Sequence, residues 1–164
     1  MYKLLLIPQQ VASLNADVED AIKDGVVVIA SAGNDYSYGV PAGHQDYNNT
    51  ITTSGALSGN VTAMPFNRGG SPDSSEGVIN VGSISEYSDF RRSSFSNYGP
   101  LIDIFAPGSN IISSIPGTDI SSYGIKSGTS MAAPQVAGII ACISTDKLEM
   151  NNEKALQHIR EIGI

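Results

Sequence analysis

Ser130 is the residue whose surroundings point most directly to chemistry. It lies in SGTSMAAPQVAG, residues 127–138, between a glycine turn and a run of small apolar residues. A serine at the mouth of a buried helix is suited to acyl transfer, because free N–H groups of the first turn and the helix dipole stabilise negative charge there. Gly128 would let a substrate backbone approach closely. The alternative is that Ser130 only caps the helix. Its motif, G-T-S-M-A, does not match the G-x-S-x-G turn of α/β-hydrolases.

The elements expected upstream of Ser130 alternate between helix and strand. Residues 13–25 predict a helix with an apolar face and with Gly25 as its C-terminal cap. VVVIA, residues 26–30, is a continuous β-branched run typical of a parallel strand buried on both faces. Two more strands are predicted at 77–84 and 101–108. This order predicts an α/β fold with a parallel sheet.

A long loop and a hairpin separate these elements. Residues 34–76 are rich in Gly, Ser, Asn and Pro, and only NTITTS and GNVTAMPF show strand-like alternation. The stretches NIISSIP and SSYGIKSG, within residues 110–128, predict a short hairpin leading into the serine.

Two helices are predicted after the hairpin. Residues 131–144 are apolar nearly all round, which predicts a central buried helix with Pro134 in its first turn. Residues 151–164 predict an amphipathic helix that turns three apolar side chains inward. These are Leu156, Ile159 and Ile162.

Composition limits the classes of function. A chain of 164 residues needs only one domain. Nine Lys and Arg against sixteen Asp and Glu give a net charge of -7, which disfavours nucleic acid as a partner. In the opening MYKLLLIPQQ the apolar run LLLI is too short for the core of an export signal or for a membrane span. Cys142, the single cysteine, is expected to be a small buried hydrophobe rather than a reactive thiol.

GTSMAAPQVAG resembles the active-serine motif of the subtilisin-like serine proteases, the subtilases. GVVVIASAGND resembles the strand and turn that carry that family's oxyanion asparagine, and GVINVGSISEYSDFRRSSFSNYGPLIDIFAPG resembles its paired strands and Phe-Ser-Asn-x-Gly turn. The resemblance covers residues 15–143, interrupted by a loop insertion at 44–76. It implies that residues 1–164 form the C-terminal part of a subtilase catalytic domain.

The resemblance implies specific catalytic roles. Ser130 would be the nucleophile, and the Asn34 amide would hold the oxyanion together with the Ser130 backbone N–H. Such a donor contributes about 2.7–4 kcal/mol, a value measured on a subtilisin.

The resemblance also implies where substrate binds. Ser31, Ala32 and Gly33 would line the pocket for the side chain that precedes the cut. Pro41 and Ala42, in GVPAG, would form the far wall of that pocket. Gly128 and Thr129 would contact the substrate next to the serine.

The general base is missing from the motifs of this sequence. In subtilases the Asp and His of the triad precede the asparagine, and neither motif is present here. His44 follows the asparagine and is expected to be a solvated loop residue, although it could in principle replace the base. His158 is expected on the exposed side of the last helix. Three interpretations stay open: part of a longer subtilase, an inactive subtilase-like binding or structural domain, and one chain of a split protease.

Partners and cofactors follow from the resemblance alone. The implied partners are a polypeptide substrate and an N-terminal half that acts in cis or in trans. No membrane or nucleic-acid partner is expected. The chemistry requires no cofactor. Family members often bind structural calcium, although this sequence has no D-x-D-x-D calcium loop. Family members are often exported, which makes an extracellular location an expectation by resemblance only.

Overall fold

The computed structural model describes residues 10–47, 50–54, 61–65, 69–86, 90–116, 122–144 and 150–162. The elements alternate as predicted for an α/β fold. In chain order they are α1 Ala12–Lys23, β1 Ile29–Ser31, β2 Thr50–Ser54, β3 Val61–Pro65, β4 Ile79–Ile84, β5 Ile104–Pro107, β6 Ile111–Ser114, β7 Tyr123–Lys126, α2 Thr129–Ser144 and α3 Asn152–Ile162.

The central sheet is parallel, with the strand order β1-β4-β5. Ile29 pairs with Ile79, and Val81 pairs with Ile104, so the three strands run in the same direction and end at the same edge. β4 lies in the middle and is buried at five of its six positions. The predicted strands at 77–84 and 101–108 are therefore confirmed, each somewhat shorter than expected.

The prediction for residues 26–30 was wrong in its burial and its start. Val26 is 52% exposed, and the strand begins only at Ile29. The reason is the end of α1, where the Gly25 N–H bonds to Ile22 O and the Val26 N–H to Ala21 O. These two hydrogen bonds, with Gly25 at φ +90°, form the C-terminal cap of α1. Val26 therefore belongs to the end of the helix and not to the strand.

α2 packs on the sheet along one face only. Its buried residues are spaced three or four apart, and they join a cluster with β4, β5 and α3. Ile139 is 48% exposed and Cys142 is also exposed. The predictions that this helix is buried on all sides and that Cys142 is buried were therefore wrong. Burial follows from the elements packed beside a residue, and the sheet covers one side of this helix.

α3 closes the core with Ala155 and Ile159, both buried. Ile162 was predicted to face inward but is 58% exposed, because it ends the helix beyond the core residues. His158 is half-buried rather than exposed. At the start of α3 the Asn152 amide bonds both backbone groups of Val28, which ties the helix to the chain just before β1.

The two antiparallel hairpins agree with the sequence. β2 and β3 pair within the loop at 34–76, and β6 and β7 pair just before α2. No helix in the described ranges is long and apolar enough to cross a membrane.

Candidate active site

Ser130 lies in the first turn of α2, which begins two residues earlier than predicted. It is the second residue of the helix and is exposed, so it is not the residue that caps it. Its side chain and its backbone N–H make no hydrogen bond with the described part of the chain. An unpaired N–H in the first turn, at the positive end of the helix dipole, can donate to an anion.

The turn before Ser130 is fixed to the end of β5. The Gly128 N–H donates to Gly108 O at 2.8 Å. A Cβ at Gly108 would collide with Ser83 Oγ and would lie 2.7 Å from Gly128 O. Glycine lets the two segments come this close, so Gly108 helps to fix the position of the first turn of α2 relative to β5.

Asn34 is held against the same turn by its amide oxygen. It follows the carboxyl end of β1, and its Oδ1 accepts from the Thr129 N–H at 2.9 Å and from Thr129 Oγ1 at 3.1 Å. Thr129 is fully buried, and its Oγ1 in turn accepts from the Gly33 N–H at 3.1 Å. Because the oxygen is engaged twice, the other side of the amide, Nδ2, is the side left to bind a ligand.

Two donors at this turn have no partner within the described ranges. Asn34 Nδ2, like the Ser130 N–H, makes no hydrogen bond with the residues that the structure describes. A Cβ placed on Gly128 would lie 3.6 Å from Asn34 Nδ2, so the absence of a side chain there keeps the approach to this donor open. Paired, fixed donors beside a serine hydroxyl are what stabilisation of a tetrahedral oxyanion requires.

The pocket residues predicted from the sequence separate into two groups. Ser31, Ala32 and Gly33 directly precede Asn34, and Gly33 has φ +95°. Pro41 and Ala42 instead line a cavity of about 590 Å³ whose walls include neither Asn34 nor Ser130. Gly33 thus lies against Thr129, beside the serine, while the predicted pocket roles of all five residues stay predictions.

The cavity that Pro41 and Ala42 line is acidic. Glu19, Asp73, Glu76 and Asp103 are part of its lining. Burial raises the pKa of Asp73 to about 6. Burial also raises the pKa of Asp103, against the opposing effects of the hydrogen bond from Asn80 and the charge of Arg160. Among the described residues no three His, Cys, Asp or Glu side chains are grouped to hold a metal ion, so the calcium expectation stays a prediction.

Neither histidine is bonded to Ser130. His44 Nδ1 accepts from the Asp46 N–H at 3.1 Å and lies 3.7 Å from Asp46 Oδ2. His158 is half-buried on α3. Within the described residues, no base is hydrogen-bonded to the Ser130 hydroxyl, and the catalytic roles of Ser130 and Asn34 stay predictions.

Two contributions to the site were missed by reasoning from sequence. Thr129 holds the Asn34 amide, a role that its sequence did not indicate, while its predicted contact with substrate stays a prediction. Asn97, in the Phe-Ser-Asn-x-Gly turn, was interpreted only as part of a turn, yet it bonds the loop that carries Asn34. The only available signal was the asparagine in that motif, whose partners lie about sixty residues away.

Comparison with known proteins identifies the family. The model of the subtilase family, Peptidase_S8, matches residues 7–161. The chain belongs to the subtilase family. Subtilisin-like protease 1 of Trichophyton rubrum is 41% identical over 130 residues, which are 79% of this chain and 19% of that protein. Subtilisin-like protease 1 of Trichophyton equinum is 58% identical over 74 residues, which are 45% of this chain and 14% of that protein.

A solved subtilase structure has the same fold. The crystal structure of a cold adapted subtilisin-like serine proteinase superposes with a TM-score of 0.64 at 29% identity, covering 91% of this chain and 42% of that one. The predicted subtilisin-like α/β fold, present as part of a domain, is thereby confirmed. This subtilase chain spans about a fifth of the length of the first Trichophyton relative and less than half of the solved structure.

Proposed function

We propose that this chain carries the nucleophile and the oxyanion donors of a serine endopeptidase. The observation that carries the proposal is a pair of donors, Asn34 Nδ2 and the Ser130 N–H, that have no partner among the described residues and lie at the start of α2 with the exposed Ser130. Family membership supports a serine protease of the subtilisin kind. The substrate is a polypeptide whose scissile carbonyl approaches over Gly128.

In this mechanism Ser130 Oγ attacks the carbonyl carbon while a base removes the hydroxyl proton. The carbonyl oxygen becomes an oxyanion that accepts from Asn34 Nδ2 and from the Ser130 N–H. Collapse expels the amine, which takes the proton back from the base and leaves an acyl group on Ser130. Water, activated by the same base, then releases the carboxylic acid and restores the serine. No cofactor is required.

The base and its carboxylate come, in this proposal, from a segment outside the 164 residues, in cis or in trans. In a subtilisin, loss of the histidine alone costs about a millionfold in kcat, which is about 8 kcal/mol of barrier. A split protease is the case in which the base is supplied in trans. In the remaining interpretation, an inactive binding domain, no base reaches Ser130.

Substrate contacts follow the same geometry. In this proposal Gly33, next to Asn34, and Gly128, two residues before Ser130, border the reacting carbonyl. The substrate contacts of Ser31 and of the fully buried Thr129 stay predictions. The role of Ala32 in the pocket and of Pro41 and Ala42 in its far wall stays a prediction, as does an extracellular location.

The deciding experiment is labelling with a fluorophosphonate, which is attacked by an activated serine and releases fluoride. The chain is tested alone and after coexpression with the preceding part of a relative's catalytic domain. We expect labelling only in the second case and not in Ser130→Ala. Labelling of the chain alone would make His44 the first candidate for the base. Absence of labelling in both cases, with a folded chain, would favour the inactive domain.

Asn34→Ala tests the oxyanion role separately. In the assembled enzyme we expect kcat to fall roughly a hundredfold or more while KM changes little, because the amide acts mainly in the transition state. Steady-state hydrolysis of a peptide substrate measures both constants. A change confined to KM would contradict the role.

A further inference from the structure

We propose that Asn97 is a positioning residue that holds Asn34 in place through the backbone of the oxyanion loop, defined here as residues 32–37. The inference rests on the proposed function, because it assigns Asn34 to the oxyanion. Asn97 touches neither substrate nor Ser130 in this proposal. It acts only through the loop.

The contacts of Asn97 bracket Asn34 on both sides. Its Oδ1 accepts from the Asp35 N–H at 3.0 Å and from the Ser37 N–H at 2.9 Å. Its Nδ2 donates to Ala32 O at 2.8 Å. Its own backbone N–H donates to Gly33 O at 3.0 Å. One side chain, 2% exposed, thus fixes the chain before and after Asn34.

Only an amide side chain can make this set of bonds. Two backbone N–H groups need one acceptor with two lone pairs, and one carbonyl needs a donor. Aspartate at position 97 would keep the two acceptor bonds but, when ionised, would lose the donor and place a charge against Ala32 O. Alanine would leave the buried Ala32 O and the part-buried N–H groups of Asp35 and Ser37 without these partners, which is costly.

Gly33 shows how closely Asn97 is fitted to the loop. A Cβ on Gly33 would lie 2.5 Å from Asn97 Nδ2, and Gly33 has φ +95°. Glycine permits both the close approach and the left-handed backbone. Thr129 holds the Asn34 amide oxygen and also bonds the loop at the Gly33 N–H, while Asn97 fixes the loop backbone on both sides of Asn34.

Asn97 is itself fixed to the central sheet. Ser96 Oγ donates to Asn97 O and accepts from the N–H of Ser83, in the buried strand β4. On either side, the Tyr36 N–H donates to Phe95 O, and the Tyr98 N–H donates to Ser37 O, each at 3.0 Å. The position of the oxyanion loop is therefore determined by β4 and not only by β1.

Asn152 offers a matched control. Like Asn97 it is buried, at 5% exposure, and its amide makes three hydrogen bonds to backbone groups, of Val28 and Gly77. It acts at the amino end of β1, whereas Asn97 acts just past the carboxyl end. Loss of either amide should lower stability, but only loss of Asn97 should act through Asn34.

The kinetic test is a double-mutant cycle in the assembled enzyme. We expect Asn97→Ala to lower kcat roughly tenfold or more with a much smaller change in KM, and Asn97→Asp to lie between it and wild type. In an Asn34→Ala background the same substitutions should change kcat by less than about twofold, because the group they position is gone. Asn152→Ala should lower the Tm and leave kcat within about twofold of wild type. If Asn97→Ala does not fold, Asn97→Asp carries the cycle alone.

A second readout does not depend on catalysis. Hydrogen exchange at the Asp35 and Ser37 amides should be faster in Asn97→Ala and unchanged in Asn152→Ala. Retained protection of these amides, or an Asn97 effect on kcat that is equal with and without Asn34, would overturn the inference. Should Ser130→Ala stay fully active, the proposed function is wrong and the positioning of a catalytic group falls with it. The exchange data still show whether Asn97 holds the loop.

Discussion

Replacing Thr129 by valine would test how the Asn34 amide is held. The hydroxyl donates to Asn34 Oδ1 at 3.1 Å and accepts from the Gly33 N–H at 3.1 Å, and the residue is fully buried. Valine has nearly the same shape, so the substitution removes two hydrogen bonds without opening a cavity. The backbone N–H of residue 129 still donates to Asn34 Oδ1 at 2.9 Å, so the amide is loosened rather than released.

The structure sets the size of both effects. Leaving the Gly33 N–H without an acceptor costs about 1–3 kcal/mol of unfolding free energy, and the lower half applies because Gly33 is half-buried. The full contribution of an oxyanion donor is about 2.7–4 kcal/mol. If one of the two bonds on Oδ1 carries about half of the amide's positioning, kcat should fall roughly tenfold to thirtyfold.

Steady-state kinetics of the assembled enzyme, with Thr129→Ser as the matched control, provides the assay. Serine keeps the hydroxyl and should retain most of kcat, while valine should lower kcat with little change in KM. An unchanged kcat in Thr129→Val would refute the argument that the hydroxyl holds Asn34. Equal losses in the serine and valine variants would assign the effect to packing of the methyl group instead.

Three further substitutions have defined outcomes. Gly33→Ala should lower the unfolding free energy, measured by urea denaturation, by roughly 1–3 kcal/mol. Alanine disfavours φ +95°, and its Cβ would lie 2.5 Å from Asn97 Nδ2. An unchanged unfolding free energy would contradict the close packing of Gly33 against Asn97. Asp73→Asn should stabilise the fold above pH 6 by about 1–2 kcal/mol and have little effect near pH 4. Burial raises the pKa of this half-buried carboxyl to about 6 in the folded chain. Between pH 4 and 6 the carboxyl ionises in the unfolded chain but stays largely protonated in the folded one, so stability falls as the pH rises; a pH-independent effect on the Tm would refute this cause. Gly108→Ala should impair labelling of Ser130 in the assembled enzyme, because its Cβ would lie 2.7 Å from the Gly128 carbonyl oxygen; wild-type labelling would show that the turn adjusts.

The local elements of the fold could be predicted because their signals are local. The strand predicted at 77–84 became β4, buried at five of six positions, and Gly25 closed α1 in the left-handed conformation. Errors arose where burial depends on distant neighbours. Ile139 and Cys142 have the composition of a core helix, yet they lie on the side of α2 that the sheet does not cover.

The site divides in the same way. A motif indicated Ser130 and Asn34. Both residues lie at the turn that begins α2, and the Ser130 N–H and Asn34 Nδ2 make no hydrogen bond within the described part of the chain. No pattern of spacing could indicate that Thr129 holds Asn34 across 95 residues of sequence, or that Asn97 reaches Asp35 across 62. Such contacts exist only because the parallel strands β1 and β4 and the start of α2 converge at one edge of the sheet.

The magnitudes show which part of the site limits activity. The oxyanion donor contributes about 2.7–4 kcal/mol, whereas loss of the general base costs about 8 kcal/mol. In the proposed function the smaller contribution comes from this chain, where Asn34 is held by Thr129 and its loop by Asn97. Without a base on Ser130, kcat is too low for a further tenfold decrease, caused by loss of an oxyanion donor, to be measured. Supplying the base in cis or in trans is therefore the condition under which every kinetic effect of Asn34, Thr129 and Asn97 can be observed.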